Sequence, residues 1–232
     1  MRKSPTLWPR LIQLMLVLAV PVVLLVADMR IVTGHWFVRW EYGKAGFPPD
    51  PFGLTTAERT HLAEVSVDYL ATDADISLLG DLQLPDGQAA FNERELRHMA
   101  DVQAVYGGLV TAGIVAALVL LASTVLLLAS SHARWHVPVA LLRGSLLTLG
   151  LLATVGATML LSWGEFFTTF HRLFFEGETW IFPYTDTLIR LFPIRFWMDV
   201  GATIVGLMVV EAIALTALGW TWARRLRSDT DT

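Results

Sequence analysis

The chain has 232 residues, 54% of them hydrophobic and only 16% charged, with a net charge of −4 and no cysteine. A soluble domain carries about 25% charged residues, so this is the composition of a membrane protein. Disulfides, thiolate nucleophiles and cysteine metal sites are excluded, and no basic stripe outside the chain's basic ends suits a nucleic-acid partner.

Four apolar runs are long enough to cross a bilayer, at roughly 11–32, 104–130, 137–163 and 198–222. Crossing takes about 20 apolar residues for ~30 Å of hydrocarbon. The first run has a second reading. Arg2, Lys3 and Arg10 form a basic leader, and Leu25-Val-Ala27 resembles a cleavage site. The uncleaved span is the expectation adopted, and Pro21 is compatible with it.

After the first span, Trp36, Trp40 and Tyr42 suit a membrane interface. Phe47-Pro-Pro-Asp-Pro-Phe52 is extended. Thr55 with Glu58 reads as a capping box opening a helix over about 55–71, with Leu62, Val65, Tyr69 and Leu70 on one face. An acidic stretch over 72–90 contains a turn at Pro85-Asp-Gly87. A second capping box follows, with Asn92 as cap, Glu95 as its partner, and Phe91 and Leu96 at the staple positions. No proline separates Asn92 from the second span, which predicts one continuous helix. His98 then lies roughly 9 Å above the start of the apolar run. Glu95, His98 and Asp101 share one side of that helix.

Between the third and fourth runs, Phe166, Phe167, Phe170, Leu173 and Phe174 form a helical stripe beside His171 and Arg172. Gly177 breaks it. Trp180 to Pro183 reads as extended, and Thr185 or Asp186 caps a short helix that carries Arg190 and ends before Pro193. Such a helix lies at the membrane surface or dips into it.

Charge sets the expected orientation. The residues from Asp28 to Asp101 hold thirteen acids against six bases, whereas Arg10, Arg134, Arg143, Arg224, Arg225 and Arg227 cluster at the other ends of the spans. By the positive-inside rule both termini face the cytoplasm, and segments 33–103 and 164–197 face outward. The expected fold is an all-α integral membrane protein with four transmembrane helices in a single membrane domain. A small helical extracytoplasmic domain lies between helices 1 and 2, and an interfacial helical loop between helices 3 and 4.

Each candidate residue has an ordinary reading beside a functional one. His98 with Asp101 is a solvated surface pair or an imidazole oriented by a carboxylate as a general base. His171 is an interfacial residue or a second acid/base. Asp186 and Arg190, four apart, pair with each other, or Arg190 binds an oxyanion or phosphate. No His-x-x-x-His pair occurs in these segments, so no metal site is expected. Glu211, deep in the last span, is structural, with Arg143 as its possible partner, or marks a transport route.

The run Phe91-x-x-Arg94-Glu95-Leu96-x-His98-Met99-x-Asp101-Val102 is followed by Phe170-His171-x-x-Phe174-Phe175 and by Trp180…Asp186-Thr-Leu-Ile-Arg190-Leu-Phe-Pro193. Together they resemble the bacterial integral membrane family that includes the lipoprotein intramolecular transacylase. The four-span layout matches over nearly the whole chain, while the specific residues occupy about 35 positions. One departure is Trp180-Ile-Phe-Pro-Tyr184, where a second acid is expected in relatives.

The resemblance implies a multi-pass enzyme of the cell membrane without cofactor or metal. Its substrate is a diacylated bacterial lipoprotein, and its site lies on the extracytoplasmic side. The enzyme moves the sn-2 acyl chain of the diacylglyceryl cysteine to the N-terminal amine, giving the lyso-form. His98 would be the general base with Asp101 orienting it, and His171 the partner acid/base, with the two roles exchangeable. Arg190 would contact the oxyanion or headgroup, and Asp186, Trp180 and Glu95 would support the site. The competing reading is a non-enzymatic assembly or sensor protein whose outer domain binds a protein partner.

Overall fold

The computed structural model describes residues 7–228. Their architecture is all-helical, and four helices are long and apolar enough to span a membrane. These are α1 (Trp8–Val32), α5 (Glu93–Leu128), α6 (His136–Leu161) and α9 (Ile194–Ser228). Between α1 and α5 lie α2 (His35–Tyr42), α3 (Thr56–Ala71) and α4 (Ser77–Gly80). Between α6 and α9 lie α7 (Trp163–Phe174) and α8 (Thr187–Leu191). Arg2 and Lys3 of the basic leader lie outside the described residues.

The chain forms two compact units. Of the described residues, the first comprises 7–28, Val110–Ala157 and 205–228. Its core joins Leu16 and Val20 of α1 to Leu127 of α5 and to Val137 and Ala140 of α6. Small residues let these helices close in, as is usual where apolar helices pack in lipid. A Cβ on Gly144 would stand 2.9 Å from the Val20 side chain, and one on Gly219 would stand 2.8 Å from the Pro138 carbonyl oxygen. Outward leucines such as Leu118 and Leu121 are exposed, as a lipid-facing surface requires. Glu211 makes no ion pair with Arg143. Its buried Oε2 has no hydrogen-bond partner, and the carboxyl that interacts with it electrostatically is Asp28, itself fully buried without a hydrogen bond.

The second unit comprises Met29–Leu109 and Thr158–Ile204. One core packs Phe37 and Val38 of α2 against Ala63 and Val67 of α3 and Phe196 of α9. The other packs Leu62 and Tyr69 of α3 with Leu79, Phe91, Met99 and, from α8, Leu188 and Leu191. Both expected capping boxes form. The Thr55 hydroxyl accepts from the Glu58 N–H while the Glu58 carboxylate accepts from the Thr55 N–H at 2.7 Å. The Asn92 side chain accepts from the Glu95 N–H at 3.1 Å, and Glu95 Oε2 accepts from the Asn92 N–H at 2.9 Å. The turn at Pro85-Asp-Gly87 is also present, with Gly87 at φ +83°.

Helix α2 is an addition to the expected elements. It buries Phe37 and Val38 and exposes Trp36 and Trp40, so eight residues that read as an interfacial aromatic belt form two helical turns. Helix α5 is uninterrupted over 36 residues. At 1.5 Å per residue this is about 54 Å, well beyond ~30 Å of hydrocarbon. Its first turns carry Glu93, Arg94, Glu95, Arg97 and Asp101. The charged end, with His98, therefore precedes the apolar run that begins near residue 104.

Candidate active site

Within the second unit, α5 places His98 in its second turn and α7 places His171 in its last. Helix α7 begins where the Ser162 hydroxyl accepts from the Glu165 N–H at 3.4 Å. It ends at Phe175, and Gly177 turns the chain at φ +64°. That turn returns Trp180 and Phe182 toward the two histidines. The imidazoles of His98 and His171 stack with centroids 6.4 Å apart and planes 22° from parallel. Phe175 and Phe182 pack on His98 at 5.0 and 5.2 Å. Phe167 and Trp180 pack on His171 at 4.0 and 4.8 Å.

The aromatic walls set the protonation of both rings. Burial pushes His98 down to about 4, and the positive charge that His171 would carry pushes the same way. Burial also lowers His171, partly opposed by a hydrogen bond to the Phe167 carbonyl. Both imidazoles are therefore neutral at pH 7. A carbonyl oxygen only accepts, so the 2.8 Å contact from His171 Nδ1 to Phe167 O requires the proton on Nδ1. His171 Nε2 is left as a lone pair, the form a general base needs. His98 Nδ1 is buried without a hydrogen-bond partner, and so is the indole Nε1 of Trp180.

Three supporting roles differ from the sequence expectation. Asp101 is exposed and makes no hydrogen bond to His98, whose orientation comes from Phe175 and Phe182. Placement on one side of a helix allows contact, but burial turned the imidazole into the ring cluster and left the carboxylate in water. Arg190 does not pair with Asp186. Its Nε and Nη2 bind Asp50 Oδ1 and Oδ2 at 3.1 and 2.9 Å, with side chains 8% and 0% exposed. Asp50 also accepts from the Leu54 N–H at 2.7 Å, and Arg59 donates to the Arg190 carbonyl. The guanidinium is thus occupied as a structural clamp, and it holds the Asp50 carboxyl below its usual range against the opposing effect of burial. Asp186 occupies the N-cap position of α8, but its side chain makes no capping bond and accepts from Arg94 at 2.6 Å.

Glu95 is 1% exposed, and its Oε1 accepts from the Leu188 N–H at 2.7 Å. One carboxylate thereby closes the cap of α5 and ties it to α8. Burial raises the Glu95 carboxyl, and the two backbone N–H groups oppose the rise. Glu95, Asp186 and Arg190 line an open polar groove with Asn92 and Gln88, whereas the histidines lie in the aromatic cluster. Asp50, Arg94, Phe175, Phe182 and the Phe167 carbonyl contribute contacts that no periodicity in the sequence marks. No group of three or more metal-ligating side chains occurs among the described residues.

The family model described as "Lipoprotein intramolecular transacylase Lit" matches residues 12–197. An uncharacterized protein of Aquifex aeolicus (strain VF5) is 30% identical over 190 residues, covering 82% of this chain and 84% of that protein. The fold is similar to the in meso structure of the membrane integral lipoprotein intramolecular transacylase Lit from Bacillus cereus. That match has a TM-score of 0.79 at 20% identity, over 95% of this chain and 98% of that one. A variant of the same Bacillus cereus protein with one histidine replaced by alanine matches with a TM-score of 0.76 at 22% identity, over 95% and 96% of the two chains.

Proposed function

We propose, from the premise that the chain belongs to the lipoprotein intramolecular transacylase family, that it catalyses an O-to-N acyl transfer within one lipoprotein molecule. The sn-2 acyl chain of the diacylglyceryl cysteine moves to the N-terminal amine and leaves a free glyceryl hydroxyl. The observation that carries this reading is the stacked pair of neutral histidines walled by aromatic rings. Its place is the outer leaflet, with both termini in the cytoplasm, following the charge asymmetry of the segments.

The α-amine has a pKa of about 8 and is mostly ammonium at neutral pH. It becomes a nucleophile once the ammonium proton has been lost to solvent, before the transfer begins. His171 is the better base, because its Nε2 lone pair is fixed by the Nδ1–H bond to Phe167. The family resemblance names His98 first for this role, with the two histidines exchangeable. The amine nitrogen attacks the ester carbonyl, the C–N bond forms, and His171 Nε2 takes the amine proton. The tetrahedral oxyanion collapses, the C–O bond to glycerol breaks, and the departing oxygen is protonated from the imidazole pair, with His98 as second member. Atoms balance without water and without a protein nucleophile. The chain has no cysteine and no Gly-x-Ser-x-Gly elbow. Amine and ester belong to one molecule, so the main task is to hold a near-attack geometry.

The test is mass spectrometry of a reporter lipoprotein's N-terminal peptide from bacterial cells with and without this protein. An acyl chain on the cysteine amine and a monoacyl glyceryl group are expected only with the protein. An unchanged diacylglyceryl cysteine would overturn the reading in favour of a non-enzymatic membrane protein that binds a partner.

A further inference from the structure

We infer that the indole N–H of Trp180 is the donor that stabilises the oxyanion of the transfer. The inference rests on the acyl-transfer reading above and deepens it. A tetrahedral intermediate needs a hydrogen-bond donor or a cation at its oxygen. Arg190 is the cation that the sequence offers, but its Nε–Nη2 edge is held by buried Asp50, and it lines the polar groove rather than the ring cluster around the histidines. A donor within the ring cluster is better placed.

Trp180 fits on three independent grounds. Its indole packs on His171 at 4.8 Å with the planes 34° apart, so the indole and the base belong to one ring cluster. Its Nε1 is buried and has no hydrogen-bond partner. An indole nitrogen donates and cannot accept, and buried donors in folded proteins are nearly always paired, so an orphan one calls for a partner supplied from outside the chain. Finally, the surroundings are Phe167, His171 and the other rings of the cluster, a poorly solvated wall in which a fixed donor acts far more strongly than in water. Trp163 also has an unpaired indole nitrogen, but its ring contacts are Phe166 and Phe167 rather than either histidine. A substrate ester oxygen entering between His171 and Trp180 would satisfy the orphan N–H at the moment negative charge develops.

The experiment uses the full-length protein in detergent micelles with a synthetic diacylglyceryl-cysteine peptide, following acyl migration by mass spectrometry. Trp180→Phe keeps an aromatic ring and removes the N–H. Benzothienylalanine placed at position 180 keeps the indole shape and substitutes sulfur for the N–H. Removing one oxyanion donor lowers kcat by about 10²–10³, so both variants are expected to lose roughly that factor with KM little changed. The benzothienylalanine protein decides the matter if the phenylalanine variant fails to fold. Wild-type kcat in the benzothienylalanine protein overturns the inference, as does a loss confined to KM, which would mark a packing role. Absence of acyl migration in the wild-type protein overturns instead the functional reading on which it rests.

Discussion

His98 and His171 hold their ring planes 22° from parallel with centroids 6.4 Å apart, although 73 positions separate them in sequence (171 − 98), and neither is oriented by a carboxylate. His171 takes its tautomer from a backbone carbonyl, while His98 is held by rings alone. The two are therefore not equivalent. His171→Ala is expected to remove the base and lower turnover by about 10²–10⁴, the range for a positioned acid–base group. His98→Ala is expected to lower turnover as well, and His98→Phe, which fits the aromatic walls, should be equally inactive yet fold normally. Quantifying lyso-form peptide against the amount of folded protein checks this. Full activity in both alanine variants would sink the two-histidine mechanism.

The same burial makes stability depend on pH. Burial holds His98 at about 4 in the folded protein, against 6.5 for an exposed imidazole. Between those values the unfolded chain binds more protons than the folded one, so stability rises with pH in that window. The contribution is complete above about pH 6.5 and is lost as pH falls toward 4. The full difference corresponds to roughly 3 kcal/mol at 1.36 kcal/mol per unit. Unfolding midpoints in detergent at pH 4.5, 5.5 and 7 should fall steadily toward acid, and the slope should be visibly flatter in His98→Phe. An identical slope in the two proteins would contradict the neutral, buried imidazole.

The four long helices, both capping boxes and the turn at Gly87 are legible in the sequence because each is encoded locally, by apolar length, by Thr55/Glu58 and Asn92/Glu95 spacing, or by a glycine at positive φ. The candidate site is legible only as a set of residues. Which of them touch depends on long-range packing. Asp50 sits in a proline-rich stretch without periodicity and binds Arg190, 140 positions away. Arg94, rather than the neighbouring Arg190, captures Asp186. Asp101 has the spacing to orient His98, but a helix face specifies direction and not burial. The fixed tautomer of His171 depends on a backbone oxygen, for which no side-chain pattern exists.

The Arg190–Asp50 pair is buried, bidentate and reinforced by Leu54 and Arg59. Removing one partner strands the other charge, which costs about 3–5 kcal/mol for buried pairs. Asp50→Ala and Arg190→Ala are each expected to lower the unfolding midpoint strongly, and the double replacement Asp50→Leu with Arg190→Met should recover much of the loss. Because the guanidinium is engaged structurally, activity per folded molecule should change little in the double variant. A kcat collapse there, with normal folding, would restore Arg190 to the oxyanion role and count against Trp180.

Glu95 and Arg94 join the same two helices by bonds of different kinds, and the difference is measurable. Glu95 is buried and accepts two backbone N–H bonds, from Asn92 at the cap and from Leu188 of α8. In Glu95→Ala the Leu188 N–H loses its acceptor in a buried setting, which costs about 1–3 kcal/mol beyond the lost cap of about 1 kcal/mol. Arg94 pairs with Asp186 from a side chain 47% exposed, and exposed pairs contribute about 0–1 kcal/mol. Arg94→Ala is therefore expected to shift the unfolding midpoint little, and Glu95→Ala to shift it several times more. Hydrogen exchange at the Leu188 amide should accelerate in Glu95→Ala and remain slow in Arg94→Ala. Equal acceleration in the two variants would mean that the exposed ion pair, rather than the buried carboxylate, ties α8 to α5.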